Sequence, residues 1–432
     1  MKYIVQPQKV VRGEITVPGD KSISHRAIML ASIAEGQTRV TGFLEGEDCL
    51  ATMNAFQQMG VKIERINEGE LLIHGVGKYG LKQPSKTLDL GNSGTSMRLL
   101  TGLLAGQSIS TTLVGDGSLM TRPMRRVCDP LSLMGAHMAT SPNGTPPVKI
   151  EPVETLKAIS YELPVASAQV KSAIVLAGLY AQGKTTIKEN KVTRDHTERM
   201  LDAFSYPITT EKGYISVEGG LSLQATDIVV PADISSAAFF IVAACIAEDA
   251  EITIHNVGMN PTRTGVIDIL LAMNANIEIH NEAIAGGEPI ASITARSSHL
   301  KGIEVPEHLV PSAIDEFPVI CVAAACAEGQ TKVANAEELR VKESDRISQV
   351  AQGLSALGIH VDEFTDGLTI LGGDMTGGLV ESGHDHRIAM SFAVASLRAS
   401  STIEISDCEN VATSFPGFVE LANRVGLNIN VH

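Results

Sequence analysis

One pattern of apolar and polar positions recurs along the chain. A short turn carrying polar or charged residues opens an Ala-rich apolar helix, a small polar turn follows, and a β-branched strand comes next. The first copy runs from Pro18-Gly19-Asp20-Lys21-Ser22 into a helix ending near Glu35-Gly36, then Thr38-Arg39-Val40. The second takes Gly91 to Thr95 into Met97–Ala105 and Ser110–Val114. The third takes Pro164–Gln169 into Val170–Ala181 and a strand at Thr185-Thr186-Ile187. Three more start at Pro231–Ser235, Pro311–Glu316 and Gly383–Arg387, each followed by a helix and a β-branched strand. The starts lie roughly 65–80 residues apart, too far for a solenoid repeat. Between them the pattern predicts more polar helices, such as Asp48–Met59 and Glu343–Leu357. These end at Gly60 and Gly358, which suit a left-handed C-cap.

Six such units in two groups of three predict two similar α/β domains with the Ala-rich helices inside. The break falls near Val230-Pro231. The C-terminal group is one strand short, and Met1–Val17 is the segment available to complete it. Domain boundaries of 18–231 for one domain and 1–17 plus 232–432 for the other follow.

Composition narrows the class. Hydrophobic residues make up 44% of 432 residues, aromatics only 4%, and Trp is absent. That is enough for a large aliphatic core and excludes a disordered or collagen-like chain. The formal net charge of −15 argues against nucleic-acid and anionic-membrane partners. The six cysteines are scattered with no CxxC pair, which favours buried free thiols. The N-terminus lacks the apolar stretch of a signal peptide, and no apolar run is long enough to span a membrane, so the cytoplasm is the expected compartment.

Two nucleotide-loop spellings fail on context. Residues Gly178 to Thr185 satisfy the Walker A spacing, but the segment before reads as helix and the segment after as strand, the reverse of a P-loop. Gly75, Gly77 and Gly80 fit GxGxxG, yet Leu81 to Ser85 with Pro84 cannot open a helix there. The histidines show no paired ligand spacing, so no metal is assigned.

The helix-opening turns are where charge concentrates. Lys21, Ser22 and Arg26 open the first helix, Asn92, Gly94, Thr95 and Arg98 the second, Ser167, Gln169 and Lys171 the third, and His386 with Arg387 the last. Arg122, Arg125, Arg194, Lys342 and Arg346 add basic clusters. Helix N-termini favour anions, and Arg clamps carboxylates and phosphates. Taken singly, each Arg is more often a solvated or salt-bridged surface residue; repetition at one structural position weighs against that and points to small, highly anionic ligands. Two acids interrupt the pattern. Asp315 is either a plain N-cap or a general base, and Glu343 either a helix-start salt bridge or a general acid. A carboxylate beside cations stays ionised, whereas one shielded from them can hold a proton.

The stretches Pro18 to Arg26, Leu90 to Arg98, Arg340 to Arg346 and Asp385-His386-Arg387 resemble the signatures of the 5-enolpyruvylshikimate-3-phosphate synthase family, in family order over nearly the whole chain. The resemblance implies a two-domain inverse α/β barrel with three βαβαββ units per domain and the active site in the cleft between them. It implies transfer of the enolpyruvyl group of phosphoenolpyruvate to the 5-hydroxyl of shikimate 3-phosphate, without cofactor or metal, in a cytoplasmic protein expected to be monomeric. By motif, Lys21, Ser22, Arg26, Ser167, Ala168, Gln169, Arg194, Asp315 and Lys342 would hold shikimate 3-phosphate. Lys21, Asn92, Gly94, Arg122, Gln169, Arg346 and Arg387 would hold phosphoenolpyruvate. Asp315 would be the base, Glu343 the acid, and Lys21 would assist. Cations from both halves would meet only when the domains close.

Ala168, Thr413 and the Thr193–Thr197 segment resemble a second, divergent class of the family; many relatives carry Ser and Lys at the first two positions. Gly94 is the position whose bulk is linked in that class to glyphosate tolerance, so a small residue is expected to permit glyphosate binding. Two other readings compete. The sister UDP-N-acetylglucosamine enolpyruvyl transferases use a reactive Cys in the loop before an Arg-Pro pair, and Gly115 to Pro123 contains none. A non-catalytic anion-binding module would not need both Asp315 and Glu343.

Overall fold

A computed structural model describes residues 1–432. The chain divides into two compact units. One is Lys21–Val230 with Ala285–Gly287; the other is Met1–Asp20, Pro231–Ile284 and Glu288–His432. Each has its own aliphatic core.

Every unit contains three almost wholly buried helices. In the first unit they are Lys21–Ile33, Gly94–Leu104 and Ala168–Gly178. In the second they are Ile234–Ile246, Phe317–Ala325 and His386–Ala395. Their Ala and Gly content lets backbones approach closely, and an all-round apolar surface suits a helix with no solvent face. Each buried Leu, Ile, Val or Phe contributes roughly 1.5–3 kcal/mol of transfer free energy. Short polar side chains begin four of them. Ser93 accepts from the Ser96 amide at 3.2 Å, Ser167 from Val170 at 3.4 Å, Asp233 from Ser235 at 2.8 Å, and Asp385 from Arg387 at 2.9 Å.

Six main sheets follow one plan. In the first, Glu35–Thr41 pairs parallel with Ile228–Val229 and antiparallel with Glu70–Val76, which pairs with Lys62–Asn67. The same order returns around Thr111–Val114 and Lys184–Lys188. In the second unit, Asp249–Gly258 pairs parallel with Val10–Ile15 and antiparallel with Glu288–Arg296. Ile403–Ser406 pairs parallel with Gly378–Glu381 and antiparallel with Tyr3–Gln6, which also pairs with Asn428–Val431. The remaining sheet has three strands, with a parallel bridge from Glu304 to Lys332 where the fourth would lie. Counting the strands of the main sheets, Leu88–Glu151 and Ser160–Glu218 thus read βαβαββ in chain order, and the other repeats follow the same plan with a strand supplied from a distant stretch or replaced by a bridge.

The Gly178–Thr185 segment is the end of a helix followed by the Lys184–Lys188 strand, so it is no P-loop. The polar helices Glu47–Gln58 and Arg346–Ala356 end near Gly60 and Gly358, at φ of +87° and +88°. One boundary differs from the pattern. The helix expected from Glu343 starts at Arg346, because Asp345 caps it by accepting from the Ser348 amide at 3.1 Å. Glu343 is left in the turn before it. Nor does Asp315 cap a helix: Phe317–Ala325 begins after Glu316, with no side-chain cap and a proline in its first turn. The six cysteines are free and five are buried. No single helix is long and apolar enough to cross a membrane.

Close packing makes a stability prediction. A Cβ at Gly102 would collide with the backbone of Ala173 on the neighbouring buried helix. Helix propensity alone favours Ala over Gly by about 1 kcal/mol. Overpacking against backbone costs about 1–3 kcal/mol. Gly102→Ala is therefore expected to lower the urea unfolding midpoint; an unchanged or higher midpoint would show that the helices separate freely.

Candidate active site

In the Lys21–Val230 unit, functional side chains collect at the N-termini of the buried helices. Lys21 is the first residue of its helix, and its Nζ lies 3.0 Å from Asp48 Oδ2. The Gly94 helix begins beside a compact network. Arg122 Nη2 donates to Asn92 Oδ1 at 2.8 Å, and Asn92 Nδ2 donates to Asp116 Oδ2 at 2.7 Å. Gln169, from the third helix, accepts from Arg98 Nη1 and donates to Thr95 Oγ1 at 3.1 Å. A Cβ at Gly94 would stand 2.8 Å from Arg122 Nη1, so glycine here leaves room for that guanidinium. Asn92, Gly94, Arg122 and Gln169 thus form one cationic, amide-rich cluster.

Other basic residues at these helix starts are turned inward. Arg26 is buried: Nε donates to Thr197 Oγ1 at 2.7 Å, Nη1 to the Ser22 carbonyl at 2.9 Å and Nη2 to Ser172 Oγ at 2.9 Å. Lys171 is fully buried between Glu198, at 2.7 Å, and Glu189, at 3.2 Å, and its Nζ also donates to the Thr193 carbonyl. That ammonium fixes the loop carrying half-buried Arg194. Ser167 acts as the helix cap and Ala168 follows it.

In the other unit a single guanidinium organises the acids. Arg346, 2% exposed, donates through Nε to Asp385 Oδ2 at 2.8 Å and through Nη2 to Glu343 Oε2 at 2.7 Å. Its Nη1 lies 3.4 Å from Asp315 Oδ1, and Lys342 Nζ lies 3.5 Å from the same oxygen. Burial opposes the charge on Arg346, but Asp385, Glu343 and Asp315 overcome it and raise its pKa above the ordinary arginine value. Burial likewise opposes the charge on Asp385, yet Arg346 and His386 hold its pKa below the usual carboxylate range. Arg387 Nη1 is 3.6 Å from Glu316 Oε1. Thr413, where many relatives have Lys, donates to the Asn410 carbonyl at 2.6 Å.

The structure thus gathers Asp315, Lys342, Glu343 and Arg346 around one point, and Asn92, Gly94, Arg122 and Gln169 around another. It does not shield one acid from the cations: Asp315 and Glu343 both touch Arg346. Asp48, Arg98, Asp385 and Glu316 also contact these groups. Arg98 and Asp385 stand in the signature stretches, where the sequence assigns them no role of their own. Asp48 and Glu316 have partners far off in sequence.

Repeated βαβαββ units with cations and caps at buried-helix starts define a class, the inverse α/β barrel of the enolpyruvyl transferases. A family-wide sequence description of EPSP synthase (3-phosphoshikimate 1-carboxyvinyltransferase) matches residues 5–421. A protein of Methylococcus capsulatus named 3-phosphoshikimate 1-carboxyvinyltransferase is 59% identical over 429 residues, covering 99% of this chain and 98% of its own. One of the same name from Alkalilimnicola ehrlichii is 58% identical over 428 residues, covering 99% and 96%. The solved structure of EPSP synthase from Acinetobacter baumannii superposes with a TM-score of 0.89 at 56% identity, covering 100% of this chain and 99% of that one. The chain belongs to the EPSP synthase family, and its fold is the two-domain inverse α/β barrel.

Beneath the Lys21 helix start, His25 is wholly buried. Its Nδ1 lies 2.8 Å from Thr52 Oγ1, and its Nε2 has no partner. Burial, then Lys21 and Arg26, hold its pKa well below the ordinary 6.5. The unfolded chain thus binds a proton near pH 6.5 that the folded chain refuses, so stability present above that pH is lost as pH falls below it. Replacing His25 by Asn should flatten the loss of urea midpoint between pH 7 and pH 5.5. Equal slopes in both proteins would show that His25 takes up its proton in the folded state.

Proposed function

We infer that this chain is a 3-phosphoshikimate 1-carboxyvinyltransferase. It moves the enolpyruvyl group of phosphoenolpyruvate to the 5-hydroxyl of shikimate 3-phosphate and releases phosphate, a step of the shikimate pathway to the aromatic amino acids. The observation that carries this is full-length membership of one enzyme family combined with two intact acids on a single buried guanidinium.

The residue roles are part of the same proposal. Asn92, the Gly94 amide, Arg122, Gln169, Arg346 and Arg387 take phosphoenolpyruvate, with Lys21. Ser22, Arg26, Ser167, Ala168, Gln169, Arg194 and Lys342 take shikimate 3-phosphate, again with Lys21 and with Asp315. Glu343 gives a proton to the methylene carbon, leaving a cation at the adjacent carbon. The 5-hydroxyl oxygen attacks that carbon while Asp315 takes its proton. The tetrahedral adduct collapses when its carbon–oxygen bond to phosphate breaks; the electron pair leaves with phosphate, which takes up the proton held by Asp315, and the methyl group returns a proton to Glu343.

Glu343 must hold a proton to begin, and Arg346 beside it favours the opposite. Phosphate or carboxylate oxygens of the donor would compete for Arg346 Nη2, releasing Glu343 and favouring its protonated form. Asp315 keeps Lys342 as a neighbour and stays ionised as a base. The same proposal takes the protein as a cytoplasmic monomer without nucleic-acid or membrane partners, and the net charge of −15 supports excluding polyanions.

Phosphate release tests the reaction. Purified protein with phosphoenolpyruvate should release phosphate with shikimate 3-phosphate and not with UDP-N-acetylglucosamine; the reverse would assign it to the sister activity, and silence with both to a binding module. Asp315→Asn and Glu343→Gln should each lower kcat by about 10²–10⁴-fold while KM values stay within a few-fold. A drop under tenfold for either variant would remove that acid from proton transfer. Gly94→Ala places its methyl against Arg122 and should raise the KM for phosphoenolpyruvate and the inhibition constant for glyphosate together by about tenfold, with shikimate 3-phosphate unaffected. Indifference of glyphosate inhibition to this change would mean the pocket lies elsewhere.

A further inference from the structure

We propose that Arg263 is a positioning residue for Arg387, acting through the buried carboxylate of Glu316. The inference rests on the enolpyruvyl-transfer reading and adds to it a residue that no signature motif contains.

Arg263 is 1% exposed, among the largest wholly buried side chains. Its Nη1 donates to Asp20 Oδ2 at 3.1 Å, and its Nη2 to Ser235 Oγ at 2.6 Å and Asp233 Oδ1 at 3.3 Å. Asp20 and Asp233 flank two of the places where the chain passes from one unit to the other, Asp20-Lys21 and Val230-Pro231. The third carboxylate is Glu316. It is fully buried, accepts from Ser235 Oγ through Oε1, and has an Oε2 that accepts no hydrogen bond. Two cations lie within 4 Å of it: Arg387 Nη1 at 3.6 Å and Arg263 Nη2 at 3.9 Å.

At those distances neither contact is a hydrogen bond, so the Glu316 charge is divided electrostatically between the two guanidiniums. While Arg263 carries part of it, Glu316 anchors Arg387 without consuming its charge. Were Arg263 neutral, a buried carboxylate would have Arg387 as its single counter-ion. Arg387 would then be drawn off the substrate. A merely structural Arg263 would affect stability alone.

The test is steady-state kinetics with both substrates, alongside thermal unfolding, for Arg263→Lys, Arg263→Gln, Glu316→Gln and the double variants. Arg263→Gln should raise the KM for phosphoenolpyruvate about tenfold, the scale of coupling between neighbouring charges, with the KM for shikimate 3-phosphate within twofold. Adding Glu316→Gln should return it to within about threefold of the parent, because the charge that captures Arg387 is gone. Should Arg263→Gln fail to fold, Arg263→Lys with and without Glu316→Gln makes the same comparison: a raised KM restored by the second change supports the proposal, and equal values overturn it. Unchanged KM in Arg263→Gln, equal rises for both substrates, or no rescue would each overturn it. An inactive parent protein would instead defeat the enolpyruvyl-transfer reading itself.

Discussion

A guanidinium or ammonium leaves water only against carboxylates and carbonyls, and a buried cation that loses its partner costs several kcal/mol. The helix starts of this protein are built under that constraint. Ala-rich helices occupy the centre of each unit, so a cation near their starts, such as Lys171, or in a segment packed close by, such as Arg263 and Arg346, is removed from solvent. Lys171 lies against Glu189 and Glu198, Arg263 against Asp20 and Asp233, and Arg346 against Asp385, Glu343 and Asp315. Position in the fold decides that a cation is buried; the carboxylates decide what remains for it to do.

Two kinds of cation result. Lys171 and Arg263 are wrapped by short contacts and hold neighbouring groups in place. Lys342, Arg387 and the Nη1 edge of Arg346 meet their carboxylates at 3.4–3.6 Å, longer than a charged hydrogen bond. These loosely held groups belong to the signature motifs. Under the enolpyruvyl-transfer reading they turn to the anionic substrates at little reorganisation cost, which is the condition for strong electrostatic stabilisation of developing charge. Asp385 keeps Arg346 in place from behind while its other edges are free to exchange partners.

Much of this was legible in the chain. The Ala-rich runs marked the buried helices, Gly60 and Gly358 their polar neighbours' ends, and the signature stretches the family and fold. The direction in which a first-turn cation points was not legible, because it depends on distant carboxylates: nothing near Lys171 announces Glu189 or Glu198. Arg26 and Arg387 look alike in sequence, yet one donates to Thr197 and Ser172 while the other rests 3.6 Å from Glu316. Glu343 was read into a helix because Asp345, three residues before Ser348, was not recognised as the cap. Arg263 drew no notice because its three carboxylates come from separate stretches of the chain.

Under the enolpyruvyl-transfer reading, substrate anions replace Glu343 on Arg346 and so free that acid to carry a proton. A crystal structure with shikimate 3-phosphate and a non-reactive phosphoenolpyruvate analogue tests it directly. The Arg346 Nη2 to Glu343 Oε2 separation, now 2.7 Å, should open beyond hydrogen-bond range while the Asp385 contact at 2.8 Å persists. An intact Arg346–Glu343 pair with both ligands in place would show that Glu343 is not released by substrate anions.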